Sequence, residues 1–425
     1  MISLANRSRL PQPPLNRFES FTEWRRRSTL NGSFPIVGVT GSRGKTTVVR
    51  LLDAIFSAAG LRTAIRTNVS VEILGERQRG EIAPWSRALK SLREQELDIA
   101  VEELDWLTIS SMGLERESYP AIAITNVCAN RDACLVQGDA KRAIASLPII
   151  FEAVTSDGVV ILNGDDYDVS REELEHHRAA VFVGLNRESP GLRDHLARGG
   201  SAAWLESGSL VLGNSERSED LGNVIDLGFA LAGKAGFQAH NALTAGAIAA
   251  SIGIEPAVIR AALGEFDTSM VWMPDSFQVV EINGVSVVID RPNPSWFLRP
   301  VLRTLRDLSP HRIISVVGRL SGVPQSDLTE VGRLIGRASA LVVSHSEENE
   351  PERAAAIKSG AAQNEMPAVI VHTKSEGRAF SRALSLAKRG DLVLVLADRP
   401  APLVRTVLRV AQTMRSSRPH VLQAT

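Results

Sequence analysis

The stretch Val39-Thr40-Gly41-Ser42-Arg43-Gly44-Lys45-Thr46-Thr47 brings glycines, a lysine and hydroxyls together in an order that suits a phosphate. Gly41 and Gly44 let the backbone wrap close to phosphate oxygens. The N–H groups at the start of a following helix, with its dipole, make an anion site. Lys45 is placed to neutralise β- and γ-phosphate charge, and the Thr46 hydroxyl to bind a magnesium ion. The strict form of this motif has glycine at position 39, where the chain has Val39; Gly38 comes one residue early. The Gly44-Lys45-Thr46 core still reads as a nucleotide site, provided that a strand precedes it and a helix follows.

Both elements are written in the sequence. Residues 35–41, PIVGVTG, are apolar and β-branched, and after them Val48, Leu52, Ile55 and Ala59 recur at helical spacing until Gly60 closes the helix. Further buried strands are expected in LDIAVEEL (97–104), YPAIAITNV (119–127) and DGVVILNGDD (157–166), each ending in polar residues. HNALTAGAIAASIGI (240–254) reads as a helix of small residues, and EPAVIRAALGEF (255–266) as a second helix with Pro256 in its first turn. After a break near residue 272 the alternation restarts. FQVVEINGVSVVID (277–290) predicts a hairpin, and strands follow in RIISVVGR, ALVVSHS, PAVIVHT and DLVLVLADRP. Alternation of this kind predicts an α/β protein with parallel sheets covered by helices. The expected organisation is an extension over residues 1–33 with little core of its own, a nucleotide-binding domain over 34–271 and a C-terminal domain over 272–425.

Composition narrows the function classes. In 425 residues, Lys plus Arg and Asp plus Glu number 48 each, so no bulk charge draws the chain to nucleic acid or a membrane surface. Arg25-Arg26-Arg27 is the local exception and reads as a solvated helix face. Cys128 and Cys134 have no second pair to complete a zinc site or a disulfide framework, which suits a reducing cytoplasm. No signal peptide and no membrane-length apolar run is evident, so a cytoplasmic setting is expected. His176 and His177 lack the partners a zinc site needs. Trp106, Trp272 and Trp296 read as packing residues.

A family resemblance adds a reaction. The loop resembles the Gly-Thr-Asn-Gly-Lys-Thr-Thr loop of the Mur ligase family, whose members use ATP to form an acyl phosphate and then an amide. AVEELDW resembles the family strand whose glutamate holds a metal, and TNV at 125–127 the start of its next loop. HNALTAGAIAA is similar to the family's adenine-side asparagine helix, and VVIDRPNP to the segment that opens its last domain. GEIAPWSRAL, SSMGLE and RGDLVLVLADRPAPLVRTVL resemble the Mur-ligase-like half of cyanophycin synthetase in particular. The arginine of SRGK is similar instead to the poly-γ-glutamate synthetase branch.

The resemblance implies a P-loop central domain followed by a Rossmann-like C-terminal ligase domain, with ATP and Mg2+ as cofactors. It implies nucleotide contacts from Gly41, Ser42, Arg43, Gly44, Lys45, Thr46, Thr47, Asn241 and Asp290. It further implies a catalytic role for Lys45 and Glu103, with Thr46 and Glu103 on the metal. Glu102, one residue earlier on the same strand, points to the opposite face. Lys45 and Asp290 come from different domains, so one domain is expected to close on the other. The substrates would be a small-molecule carboxylate and an amino acid or peptide. A homo-oligomer and a companion ligase are both compatible with this reading. Because only residues 1–33 precede the first strand, a cell-wall precursor substrate is not expected.

Departures from the family pattern set a second reading beside the first. Where the family places Asp-His after TNV, this chain has Asn130 and Arg131. We therefore expect the Arg131 guanidinium to stand in for a second metal in catalysis. The family's carbamoylated lysine aligns with Pro148, and Lys141 comes too early to replace it. A phosphate-contacting arginine is replaced by Ser276, and the histidine before Asn293-Pro294 by Pro292, leaving Arg291 and Arg43 as further cations. These changes favour a degenerate nucleotide-binding partner or regulator without ligase activity. A folate-type polyglutamate ligase is a third reading, which suits the short N-terminus but not the subgroup motifs. The loop GRLSGVPQSD lies where the family has a glycine-rich loop near its amino-acid site, but lacks the expected Gly-Asp-Arg.

Overall fold

The computed structural model describes residues 20–28, 34–78, 97–127, 139–166, 179–266, 277–345, 351–364, 368–400 and 402–407. It divides into two compact units, Met1–Ala129 with Gly138–Asp267, and Thr268–Thr425 with Asn130–Gln137.

The first unit is built on one sheet. Its parallel centre comprises β1 (Ile36–Thr40), β2 (Thr63–Arg66), β5 (Ile99–Glu103), β6 (Tyr119–Ile124), β7 (Val154–Asn163), β8 (Ala179–Val183) and β9 (Ser201–Glu206). Antiparallel strands extend both edges: β3 (Val71–Ile73) and β4 (Glu76–Arg77) on one side, β10 (Ser209–Gly213) and β11 (Ser218–Asn223) on the other. The order across the eleven strands is β11-β10-β9-β8-β7-β6-β1-β5-β2-β3-β4.

Near-continuous apolar runs in the central strands are what a sheet covered on both faces demands. Successive side chains accordingly enter different cores: Val181 and Val183 join Val37, Val39, Leu51 and Ile55, whereas Ala180 and Phe182 join Ile122, Leu147 and Phe151. The helices Lys45–Ala58 and Gly236–Ser251 supply the first core; Trp106–Met112, Asp139–Ala153 and Pro190–Ala197 supply the second.

Register then positions the site. β1 lies between β5 and β6, pairing Val39 with Glu103 on one side and Thr40 with Ile124 on the other. The loop leaving β1 therefore emerges between the C-terminal ends of two neighbours.

The N-terminal segment differs from expectation. Phe21–Ser28 is a helix that buries Trp24 at 2% exposure in the first core. Arg25 and Arg27 of its basic run are not simply solvated: they pair with Asp98 and Asp157. Partners 73 and 130 residues away cannot be read from local pattern.

The second unit holds a six-stranded sheet of order β12-β13-β17-β14-β15-β16. Its strands are β12 (Gln278–Ile282), β13 (Val285–Asp290), β14 (Ile313–Val317), β15 (Leu341–His345), β16 (Val369–Thr373) and β17 (Leu392–Leu396). β12 and β13 form the expected antiparallel hairpin, and all other pairings are parallel. No helix among the described residues is long and apolar enough to cross a membrane.

Candidate functional site

The helix after β1 begins at Lys45, and its N-cap, Gly44, has no side chain to cap the first N–H groups. Gly44 has φ 89° and Gly41 φ 136°, conformations that L side chains rarely adopt. Space is as restrictive as conformation. A Cβ on Gly41 would stand 2.0 Å from Thr125 Oγ1, and one on Gly44 2.4 Å from Asn241 Oδ1. Asn241, 7% exposed on Gly236–Ser251, thus lies against the loop, and its Nδ2 donates to Gln238 Oε1 at 3.0 Å.

Three polar side chains converge at the helix start. Thr46 Oγ1 donates to Glu103 Oε2 at 2.9 Å, and Lys45 Nζ sits 3.8 Å from Glu103 Oε1. Lys45 Nζ also donates to Gly41 O at 2.8 Å, folding the ammonium back across the loop. Glu103 is only 2% exposed, and Asn68 N donates to it at 3.4 Å. A hydroxyl and one carboxylate are hard oxygen donors, which is what Mg2+ takes when phosphates and water complete its shell. Among the described residues no group of three or more His, Cys, Asp or Glu gathers, so an all-protein cage is not offered. Thr46 and Glu103 fit a metal shared with a bound phosphate.

The flanking strands hold the loop from both sides. After β6, Thr125 Oγ1 donates to Arg43 O at 2.6 Å, Asn126 Nδ2 donates to the same carbonyl at 3.0 Å, and Asn126 Oδ1 accepts from Arg43 N at 3.0 Å. Ser42 N donates to Asn126 O at 2.9 Å. After β5, Trp106 Nε1 donates to Ser42 Oγ at 3.2 Å. Behind this latch, Asn163 Nδ2 donates to Thr125 O, and Val127 N to Asp166 Oδ2. Thr47, 6% exposed, is buried in the first turn of the helix.

Glu102 turns to the opposite face, as its place on the strand predicts. It is 3% exposed, accepts from the Tyr119 hydroxyl at 3.0 Å and pairs with Arg66 at 3.3 Å. Burial pushes its carboxyl up to about 7, partly opposed by Arg66 and the Tyr119 hydrogen bond. On the nearby helix, His240 is held below the usual imidazole range, chiefly by burial.

In the second unit, Asp290 ends β13 and is 5% exposed. Its Oδ1 accepts from Arg291 N at 2.8 Å and its Oδ2 from Asn293 Nδ2 at 2.7 Å. Pro292 is buried between them. The loop after β14 is also tied down. Arg353 donates to the carbonyls of Arg319, Leu320 and Val323, and Ser321 N donates to Asp398 Oδ1 at 2.7 Å.

The fold therefore brings Gly41, Ser42, Arg43, Gly44, Lys45, Thr46, Glu103 and Asn241 together. Asp290 belongs to the other unit. Arg131, Ser276, Trp272, His176, His177 and both cysteines lie outside the described residues. Pro148 sits inside the helix Asp139–Ala153 with its ring exposed, and Lys141 is exposed about two turns before it. The sequence reading missed the bonds that Thr125, Asn126 and Trp106 make to the loop. TNV was visible as a strand end, but its partners are 82 and 83 residues away.

Two family models match: the Mur ligase middle domain over residues 39–249, and the Mur ligase, glutamate ligase domain over residues 277–399. The chain belongs to the Mur ligase family. Within it, the chain is 24% identical over 387 residues to cyanophycin synthetase from Trichormus variabilis, covering 89% of this chain and 42% of that protein. It thus spans less than half the length of that relative. It is 26% identical over 370 residues to UDP-N-acetylmuramoyl-L-alanyl-D-glutamate--2,6-diaminopimelate ligase from Aquifex aeolicus, covering 85% of this chain and 71% of that one. The fold is shared with bifunctional folylpolyglutamate synthase/dihydrofolate synthase from Yersinia pestis, solved with AMPPNP and Mn ion. That comparison gives a TM-score of 0.62 at 16% identity and covers 96% of this chain and 95% of that one.

Proposed function

We propose that this Mur ligase family member is an ATP-dependent amide ligase. In this reading residues 34–271 bind ATP and residues 272–425 serve the incoming amine. A carboxylate oxygen of one substrate attacks the γ-phosphorus of ATP and ADP leaves, giving an acyl phosphate. The amine of an amino acid or peptide then attacks the acyl carbon, an amide C–N bond forms, and phosphate departs. The observation that carries the reading is the convergence of Lys45, Thr46 and Glu103 on an uncapped helix N-terminus.

Each residue has a task in that scheme. The open N–H groups and Lys45 take phosphate charge, which is where most of the stabilisation of phosphoryl transfer resides. Thr46 and Glu103 would hold Mg2+, which when bound neutralises charge on the phosphate oxygens. Gly41 and Gly44 keep the backbone near the phosphates. Asn241, already against Gly44, is assigned to the adenine side, and Asp290 to the nucleotide from the second unit. Arg131 is assigned the charge of a second metal; Arg131→Ala with kinetics equal to the parent would remove that role.

The nucleotide-binding partner without ligase activity is retained as a second reading because Pro148 stands exposed in a helix where the family's carbamoylated lysine aligns, and proline has no amine to modify. Phosphate release from MgATP across a pool of amino acids and short peptides separates the two, with Lys45→Ala as the blank. Release that needs one carboxylate–amine pair, with the joined product seen by mass spectrometry, supports the ligase. MgATP binding without release for any pair supports the partner.

A further inference from the structure

We infer that Trp106 is a positioning residue that orients the Ser42 hydroxyl toward a nucleotide phosphate. The inference rests on the nucleotide-binding part of the reading above, not on amide formation.

A serine hydroxyl has one proton to give and two lone pairs to offer, whereas an indole N–H only donates. Trp106 Nε1 approaches Ser42 Oγ at 3.2 Å and so occupies a lone pair. Among the described residues, the Ser42 hydroxyl donates its own proton to no protein acceptor. That proton belongs to the loop between Gly41 and Gly44, beside the uncapped helix start. An anionic oxygen in the loop is the acceptor that completes its bonding.

The indole is itself held in place. Trp106 is 4% exposed and packs in the second core with Leu104, Ile109 and Ile124. Its helix is capped by Asp105, whose carboxylate accepts from Thr108 N at 2.8 Å and Thr108 Oγ1 at 2.7 Å. The same short run thus sends Glu103 to Thr46 and Trp106 to Ser42, clasping the loop at two points. A donor fixed by packing orders Ser42 before the ligand arrives, so less conformational freedom is lost on binding.

The experiment replaces Trp106 in the full chain with 3-benzothienylalanine, which keeps the ring shape but has sulfur where the N–H was. MgATP affinity is measured by calorimetry for this variant, for Ser42→Ala and for the two combined. Trp106→Phe runs in parallel. The isostere and Ser42→Ala should each weaken MgATP about three- to tenfold, the worth of one hydrogen bond. The combination should be no weaker than Ser42→Ala alone. Parent-like affinity for the isostere overturns the inference. So does a loss that persists undiminished in the Ser42→Ala background, because that would be a packing effect. Lys45→Ala separates the two layers: if it binds MgATP like the parent, the nucleotide reading fails; if it alone loses binding, only the role of Trp106 fails.

Discussion

The two units each end a parallel sheet in a loop-rich edge, and they hold those edges in opposite ways. In the first unit, neighbours grip the loop mainly at Ser42 and Arg43, through Thr125, Asn126 and Trp106. The helix that follows starts from Gly44, an N-cap with no side chain to offer its first N–H groups. In the second unit many of the edge's polar groups pair with one another, although Asn293 Oδ1 and Trp296 Nε1 are buried without a hydrogen-bond partner among the described residues. The Asp290 carboxylate takes a backbone N–H and an amide, Asp327 takes Ser295 N at 2.6 Å, and Arg353 covers three carbonyls. The first N–H groups of a helix have no intrahelical acceptor, and their alignment with the helix dipole suits them to an anion. In the proposed reading the first edge takes phosphate, whereas the second holds its own loops, with Asp290 assigned a further contact to the nucleotide.

The comparison breaks most easily at Lys45. Lys45→Ala should lower MgATP-dependent phosphate release by about 10²–10³-fold, the cost of losing a preorganised charge contact; release equal to the parent would end the assignment of the first edge. Glu103→Gln keeps the shape but removes the charge. About a hundredfold loss of turnover is expected, partly recovered at high Mg2+, as a magnesium titration would reveal.

Glu102 tests the other face of the same strand. Its carboxyl, at about 7 in the fold against an ordinary 4.5, retains its proton to higher pH than in the unfolded chain. The native state therefore binds more protons between those values, and the stability present below the lower value is lost as pH rises through the upper one. Urea unfolding at pH 5 and pH 8 should show the parent losing roughly 3 kcal/mol relative to Glu102→Gln across that window. Parallel pH profiles for the two proteins would contradict it.

Two smaller effects sharpen the contrast. Arg353→Ala should cost about 2 kcal/mol of stability, by uncovering carbonyls of the loop after β14, with MgATP affinity little changed. Asn126→Ala should do the reverse, weakening MgATP by about tenfold while costing ~1 kcal/mol in stability. Paired denaturation and calorimetry on both variants would show whether the effects separate this way.

Particular residues show how far the sequence reached. Lys45 and Thr46 were legible because a strand, a glycine-rich turn and a helix are adjacent in the chain. Glu103 was legible from its family motif, and its opposition to Glu102 from the two-residue period of a strand. The β12–β13 hairpin was legible from two apolar runs around Asn283-Gly284. Trp106 was read as packing; the bond it makes to Ser42, 64 residues away, leaves no local mark. The anchoring of the Phe21–Ser28 helix by Trp24 and Arg25 was missed for the same reason.

The sequence by itself determined the glycine-rich loop between a strand and a helix, the alternation of strands and helices, and membership of the Mur ligase family, because each is carried by neighbours along the chain. Tertiary structure alone decided which strands flank β1, and so which side chains hold the loop: Glu103 and Trp106 from one neighbour, Thr125 and Asn126 from the other. Parallel pairing joins residues far apart in sequence, and hydrogen bonds at that range are set by register, which no local pattern encodes.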